Sequence, residues 1–95
     1  MTEQAQPLFS LGKLLSTPGA LDALEQAQVH PFELLRRHWS GDWGDLCDED
    51  KHLNDEAVKG GSRIFSAYIL PTNTKVWLIT EWDRSATTLL LPSEY

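Results

Sequence analysis

The 95-residue sequence predicts one α+β domain, in which three helices precede a three-stranded antiparallel β-meander and form a single layer on the sheet. Apolar residues recur at helical spacing as far as Gly60-Gly61, and after these glycines the period changes to two. The length is that of one domain, and 41% apolar residues are enough for a core without disulfides. Residues 1–7 are expected to form a flexible lead-in.

The three helices are predicted from their end signals. Thr17-Pro18 begins the first helix, which runs to about residue 28, because threonine caps free N–H groups and proline fits the first helical position. His30-Pro31 repeats this arrangement at the start of the second helix, residues 31–39. The third helix, residues 48–59, begins with acids that favour the positive end of the helix dipole and ends at Gly60-Gly61.

The predicted strands are rich in β-branched and aromatic residues and span residues 63–70, 75–82 and 87–91. Both faces of the second strand are apolar, with Val76 on one and Trp77 on the other. A meander covered by helices on one side normally has a polar second face. We therefore expect residues 8–15 to fold back over this face, with a second copy of the chain in a homodimer as the alternative cover.

The net charge of −6 is concentrated in residues 42–56, which contain seven acids and a single lysine. Such a block creates a local negative field. It argues against nucleic acid as a direct ligand, because phosphate binding needs clustered Lys and Arg. The block is typical either of a solvated helix face or of a surface that docks on a basic protein.

Other function classes are excluded by missing motifs. The single Cys47 permits no intrachain disulfide and indicates a reducing compartment. With neither an export signal nor an apolar run of membrane-spanning length, a cytoplasmic location is predicted. The sequence has no metal-ligand spacing and no phosphate-binding glycine motif, so no cofactor and no metal are predicted. His38 shares a helix face with Leu34 and is expected to be a hydrogen-bonded core residue.

One enzymatic alternative stays open, a small ribonuclease or toxin with its active site on the sheet. Its general base, general acid and phosphate-binding groups would come from His52, Arg63, Tyr68, Glu81 and Arg84. An RNase of this size is expected to be basic, whereas this chain is acidic, so the non-enzymatic interpretation is favoured.

Three segments carry a resemblance to a known group of proteins: the loop Gly41-Asp42-Trp43-Gly44-Asp45-Leu46, the triplet Ser66-Ala67-Tyr68, and residues 76–95, VWLITEWDRSATTLLLPSEY. They resemble small "plasmid-related" proteins carried by bacterial plasmids, conjugative elements and prophages. The resemblance covers most of residues 17–95 and departs at Trp82, where the group has a small residue. It implies no catalytic residues. It implies a short cytoplasmic accessory protein of a mobile element, of the kind that acts on host defence or on transfer and maintenance of the element.

The functional hypothesis is a non-enzymatic, acidic protein-binding module. Its expected partner is a protein with a basic surface, such as a nucleic-acid-binding host defence complex whose phosphate-binding surface the acids would occupy. Anti-defence activity, including anti-CRISPR inhibition, is the expected outcome, with neither direct nucleic-acid binding nor membrane binding. The predicted contact residues are Asp42, Trp43, Asp45, Asp48, Glu49, Asp50, Asp55, Glu56, Trp82 and Arg84.

Overall fold

The computed structural model describes residues 7–95, so the predicted lead-in lies outside the described residues except for Pro7. Within residues 7–95 the chain forms four β-strands, three α-helices and one 3₁₀ helix. In chain order these are β1 (Lys13–Ser16), α1 (Pro18–Ala27), α2 (Pro31–Trp39), α3 (Asp48–Gly60), β2 (Ile64–Ile69), β3 (Lys75–Thr80), β4 (Ala86–Leu90) and the 3₁₀ helix Pro92–Glu94.

The sheet is mixed, with the strand order β1-β4-β3-β2 within the described residues. Strands β2, β3 and β4 are antiparallel neighbours, whereas β1 pairs parallel to β4, with Lys13 opposite Ala86 and Ser16 opposite Leu89. The predicted fold class is therefore wrong. A strand precedes the helices, all three helices lie between β1 and β2, and the sheet has four strands rather than an antiparallel three.

Strand β1 depends on contacts that are distant in sequence, and this is why its residues gave no strand signal. The N–H groups of Lys13 and Thr17 donate to the carbonyls of Ser85 and Leu89, at 3.0 and 2.9 Å. Gly12 precedes the strand at a φ of +66°, where a Cβ would overlap the carbonyl of Ser85. The four residues are too few to show alternation, and their partner strand is about 70 residues away.

The main core lies between one face of the sheet and helices α1 and α2, whose observed bounds agree with the predicted ones to within one residue. This inner face carries the even-numbered residues of β2 and β3 and the odd-numbered residues of β4 from Thr87 on, as the strand register requires. The buried cluster comprises Ala20, Leu24, Leu34, Leu35, Tyr68, Leu70, Val76, Leu78 and Leu89.

A chain of hydrogen bonds crosses this core at His38, which is fully buried. The ring contacts Ser66 through Nδ1 at 2.5 Å and Thr80 through Nε2 at 2.9 Å. Thr80 contacts Thr87 at 2.6 Å, and the Thr87 hydroxyl donates to the carbonyl of Leu11 at 2.8 Å. Because each hydroxyl has one proton, Thr80 must donate to Thr87, so His38 donates from Nε2 and accepts at Nδ1. His38 is thus the hydrogen-bonded core residue that its helix position predicted.

The outer face of the sheet is not covered by residues 8–15, so the expected fold-back is wrong. Phe9 from that segment packs in the helical layer, where its ring contacts those of His38 and Trp43. On the outer face, the Trp77 ring meets Phe65 at a centroid distance of 5.0 Å and Tyr95 at 5.8 Å. This face therefore carries a row of aromatic rings.

Candidate protein-binding surface

The loop between α2 and α3, residues 41–46, is fixed by close backbone contacts. Gly44 has a φ of +79°, and a Cβ there would overlap the carbonyl oxygen of Ala67. The hydroxyl of Tyr68 donates to the Asp42 carbonyl at 2.7 Å. Nε of Arg37 donates to the Asp42 carboxylate at 2.6 Å, and this hydrogen bond lowers the pKa of that carboxyl group. The Asp42 side chain is therefore already paired, although half of it is exposed.

Trp43, a predicted contact residue, lies in the interior and is 4% exposed. Its Nε1 donates to the carboxylate of Asp55 at 3.1 Å, and its ring packs against those of Phe9 and His38. Trp43 therefore holds α3 in place through Asp55, and its buried ring is not available for contact with a partner. Asp55 has one carboxylate oxygen committed to this bond.

Helix α3 lies beside the edge of β2, held by the buried side chain of Asn54. Its Nδ2 donates to the Phe65 carbonyl at 2.6 Å, and the Phe65 N–H donates to its Oδ1 at 3.1 Å. The amide thus completes the pairing that a neighbouring strand would provide. The 41–46 loop pairs with Ala67, the next residue of β2 whose backbone groups point away from β3. Its N–H donates to the carbonyl of Trp43, and its carbonyl accepts from the N–H of Asp45. Sequence reasoning missed Asn54, whose one signal was an asparagine in the middle of a helix.

The outward side of α3 carries most of the predicted acidic contact residues. Asp45 lies 3.6 Å from Lys75, and Glu56 lies 3.9 Å from His52. Across residues 7–95, no ion pair involves Asp48, Glu49 or Asp50, which occupy the first turn of α3. We call the five exposed acids of this helix the acidic surface: Asp48, Glu49, Asp50, Asp55 and Glu56.

Two exposed apolar side chains lie on or beside α3. Leu53, in the middle of α3, is 60% exposed, and Trp82, in the β3–β4 turn, is 66% exposed. The guanidinium of Arg84 donates to the carbonyls of Ala57 at 2.8 Å and Trp82 at 3.2 Å. Because one guanidinium reaches both carbonyls, the backbone of Trp82 lies beside the last turns of α3. Arg84, another predicted contact residue, is itself occupied in closing the end of this helix.

The residues of the ribonuclease alternative are not brought into one cleft. Tyr68 is buried on the inner face of the sheet, where burial raises the pKa of its hydroxyl group. Arg63 donates to the hydroxyl of Tyr95, which packs on the outer face. His52 projects from α3 next to Glu56.

Within the described part of the chain, no three His, Cys, Asp or Glu side chains are grouped so that they could hold a metal ion. None of the helices in residues 7–95 is both long enough and apolar enough to span a membrane.

Comparisons with protein-family models, curated proteins and solved structures found no match to the chain. The resemblance to plasmid-related proteins, and the mobile-element context that it implies, therefore stay predictions.

Proposed function

We propose that this protein is a non-enzymatic binding module whose acidic surface docks on the basic surface of another protein. The observation that carries the proposal is the first turn of α3, where Asp48, Glu49 and Asp50 are exposed and form no ion pair with any residue of the described range. Leu53 in the middle of α3, and Trp82, whose backbone lies beside the last turns of this helix, supply exposed apolar groups. Protein interfaces commonly combine an apolar centre with a polar rim, and complementary charge accelerates encounter.

The partner that we propose is a protein whose basic surface ordinarily binds nucleic acid. Glu49 and Glu56 are seven residues apart, so they are separated by about 10 Å along the helix axis. The exposed carboxylates of α3 would offer negative charges to Lys and Arg side chains that otherwise bind phosphates. By occupying this surface, the protein would inhibit a host defence complex that binds nucleic acid.

The test compares two variants that change the charge equally. One replaces the acids of α3 by Asp48→Asn, Glu49→Gln and Asp50→Asn. The control replaces three exposed acids of the other helices by Asp22→Asn, Glu25→Gln and Glu33→Gln. Immobilised parent protein is used to capture a partner from the natural host at low salt. We expect the control to retain the partner and the α3 variant to lose it, because only α3 would face the basic surface.

Two further measurements make the result specific. Capture should weaken steeply with salt, because exposed charges are screened beyond about 8 Å at physiological ionic strength. The purified partner should bind either this protein or nucleic acid, but not both at once. Equal retention by the two triple variants would refute the assignment of the acidic surface, and simultaneous binding of nucleic acid would refute the proposed mode of inhibition.

A further inference from the structure

The two edges of the sheet differ in whether their backbone hydrogen-bonding groups have partners. At the β2 edge, Asn54 pairs with the backbone of Phe65, and the 41–46 loop pairs with Ala67. At the β1 edge, the N–H groups of Lys13 and Thr17 point inward to β4. Since the direction alternates along a strand, the backbone groups of the even-numbered residues, Leu14 and Ser16, point outward. No residue of the range 7–95 pairs with them.

The open edge is also apolar on both sides. Leu14 and Leu15 point to opposite faces of the sheet and are 43% and 44% exposed. An edge with unpaired backbone groups and exposed apolar side chains is a template for pairing with another strand. We propose that β1 pairs antiparallel with β1 of a second copy of this chain about a two-fold axis, which joins the two sheets into one sheet of eight strands.

The outward backbone groups limit the register to pairings between even-numbered residues. In the register that we propose, Leu14 exchanges both hydrogen bonds with Ser16 of the second copy, and Ser16 with Leu14 of the second copy. The two-fold axis then passes through Leu15. Each Leu15 faces its equivalent in a non-hydrogen-bonded pair, with Cα atoms about 4.5 Å apart, so both leucine side chains become buried against each other.

Charge complementarity identifies a second copy as the occupant. In this register Lys13 lies opposite Thr17 of the other copy. The Thr17 hydroxyl donates to the Glu94 carboxylate at 2.5 Å, and the N–H groups of Gly19 and Leu91 donate to it at 3.2 and 2.9 Å. These bonds hold a carboxylate at one end of β1, and Lys13 lies at the other end. Antiparallel pairing therefore brings each lysine to a fixed carboxylate, twice by symmetry.

The neighbouring register lacks this match. An axis through Leu14 would place Lys13 opposite Leu15 of the second copy, with no carboxylate bound there.

Single cysteines distinguish the registers in a Cys47→Ser background. We expect Leu15→Cys to form a disulfide-linked dimer under mild oxidation, because disulfides need Cα atoms about 4.4–6.8 Å apart. Lys13→Cys is the matched control, because its two copies would lie about 13 Å apart. Faster cross-linking by Leu14→Cys than by Leu15→Cys would overturn the register.

Sedimentation of the full chain tests the pairing itself. The parent should show a concentration-dependent dimer. Leu14→Pro should abolish it, because proline removes an outward N–H and leaves the bonds to β4, whereas Leu14→Ala keeps that N–H and should retain association. Lys13→Glu should raise the dimer dissociation constant about tenfold, and Lys59→Glu, the same charge change on α3, should not.

The charge variants keep the test decisive if Leu14→Pro fails to fold. A parent that stays monomeric up to millimolar concentration would overturn the proposal, as would a monomer whose β1 edge binds an extended peptide of another protein. A dimer that persists in Lys13→Glu and does not cross-link through Leu15→Cys would place the interface elsewhere, for example on the outer face of the sheet.

Discussion

Because His38 is buried, the free energy of unfolding should decrease as the pH falls below about 6.5. Burial lowers the pKa of its imidazole from an ordinary value of 6.5 to about 3 in the folded protein. Below pH 6.5 the unfolded chain therefore binds a proton that the folded chain does not bind. The stability contributed by the neutral imidazole is fully present above pH 6.5 and is lost progressively as the pH falls towards 3.

The expected size of the effect follows from this difference in pKa. Between the two pKa values the free energy of unfolding changes by about 1.4 kcal/mol per pH unit. Lowering the pH from about 7.5 to 4.5 should therefore remove roughly 2–3 kcal/mol. A domain of this length has a total stability of about 5–14 kcal/mol, so the loss is large enough to measure. The pKa of Asp42 lies below its ordinary value of 3.8, so the stability that its ion pair contributes is lost only below about pH 3.8, outside this pH range.

The assay is urea unfolding followed by tryptophan fluorescence between pH 4.5 and 7.5, on the parent and on His38→Gln. Glutamine keeps one donor and one acceptor towards Ser66 and Thr80 but does not bind a proton in this range. The variant should be less stable at pH 7.5 and almost independent of pH. The control His52→Gln removes an exposed histidine and should keep the parental slope. If His38→Gln showed the same slope as the parent, the buried imidazole would not be the cause of the pH dependence.

Two further predictions concern the edge of β2. Asn54→Ala should lower the free energy of unfolding by about 2–4 kcal/mol in urea titrations, because the N–H and the carbonyl of Phe65 both lose their partner; a loss below about 1 kcal/mol would mean that water replaces the amide. Gly44→Ala should lower it by about 2 kcal/mol or more, since its Cβ would overlap the Ala67 carbonyl at a positive φ. Gly60→Ala, whose Cβ would meet nothing within 4 Å, should change it by less than about 1 kcal/mol or raise it, so equal losses in both glycine variants would contradict the steric argument.

The helices could be predicted because their signals are local. Thr17 accepts the N–H of Ala20, and His30 accepts the N–H of Phe32, so each cap involves residues two or three positions apart. Strand β1 could not be predicted in the same way. Its register with β4 joins residues about 70 positions apart, and nothing in a four-residue segment indicates a parallel partner.

The candidate surface was predictable in charge but not in which side chains it exposes. The exposed acids of α3 lie where the charge block placed them, because a charged residue without a partner stays in water. Trp43 and Arg84 were named with them, yet the first is buried and the second binds backbone carbonyls. Whether a ring or a guanidinium faces solvent depends on what distant segments pack against it. For Trp43 one such neighbour is Phe9, which is separated from it in the sequence by helices α1 and α2.

The fold places the open edge and the acidic surface at opposite sides of the sheet, because α3 lies beside β2 and β1 is the other edge strand. Pairing through β1 would therefore put the two copies of β2 at the ends of an eight-stranded sheet, about 34 Å apart at the usual strand spacing. The two acidic surfaces would then engage a partner with two basic sites, or two partners, at once. A bivalent contact of this kind gains affinity through effective concentration without any new contact at either site. The monomeric variant Leu14→Pro should thus keep the affinity of a single acidic surface and lose only the bivalent gain, whereas neutralising the acids of α3 should weaken both. The two proposals are therefore independent, since either surface can fail without the other.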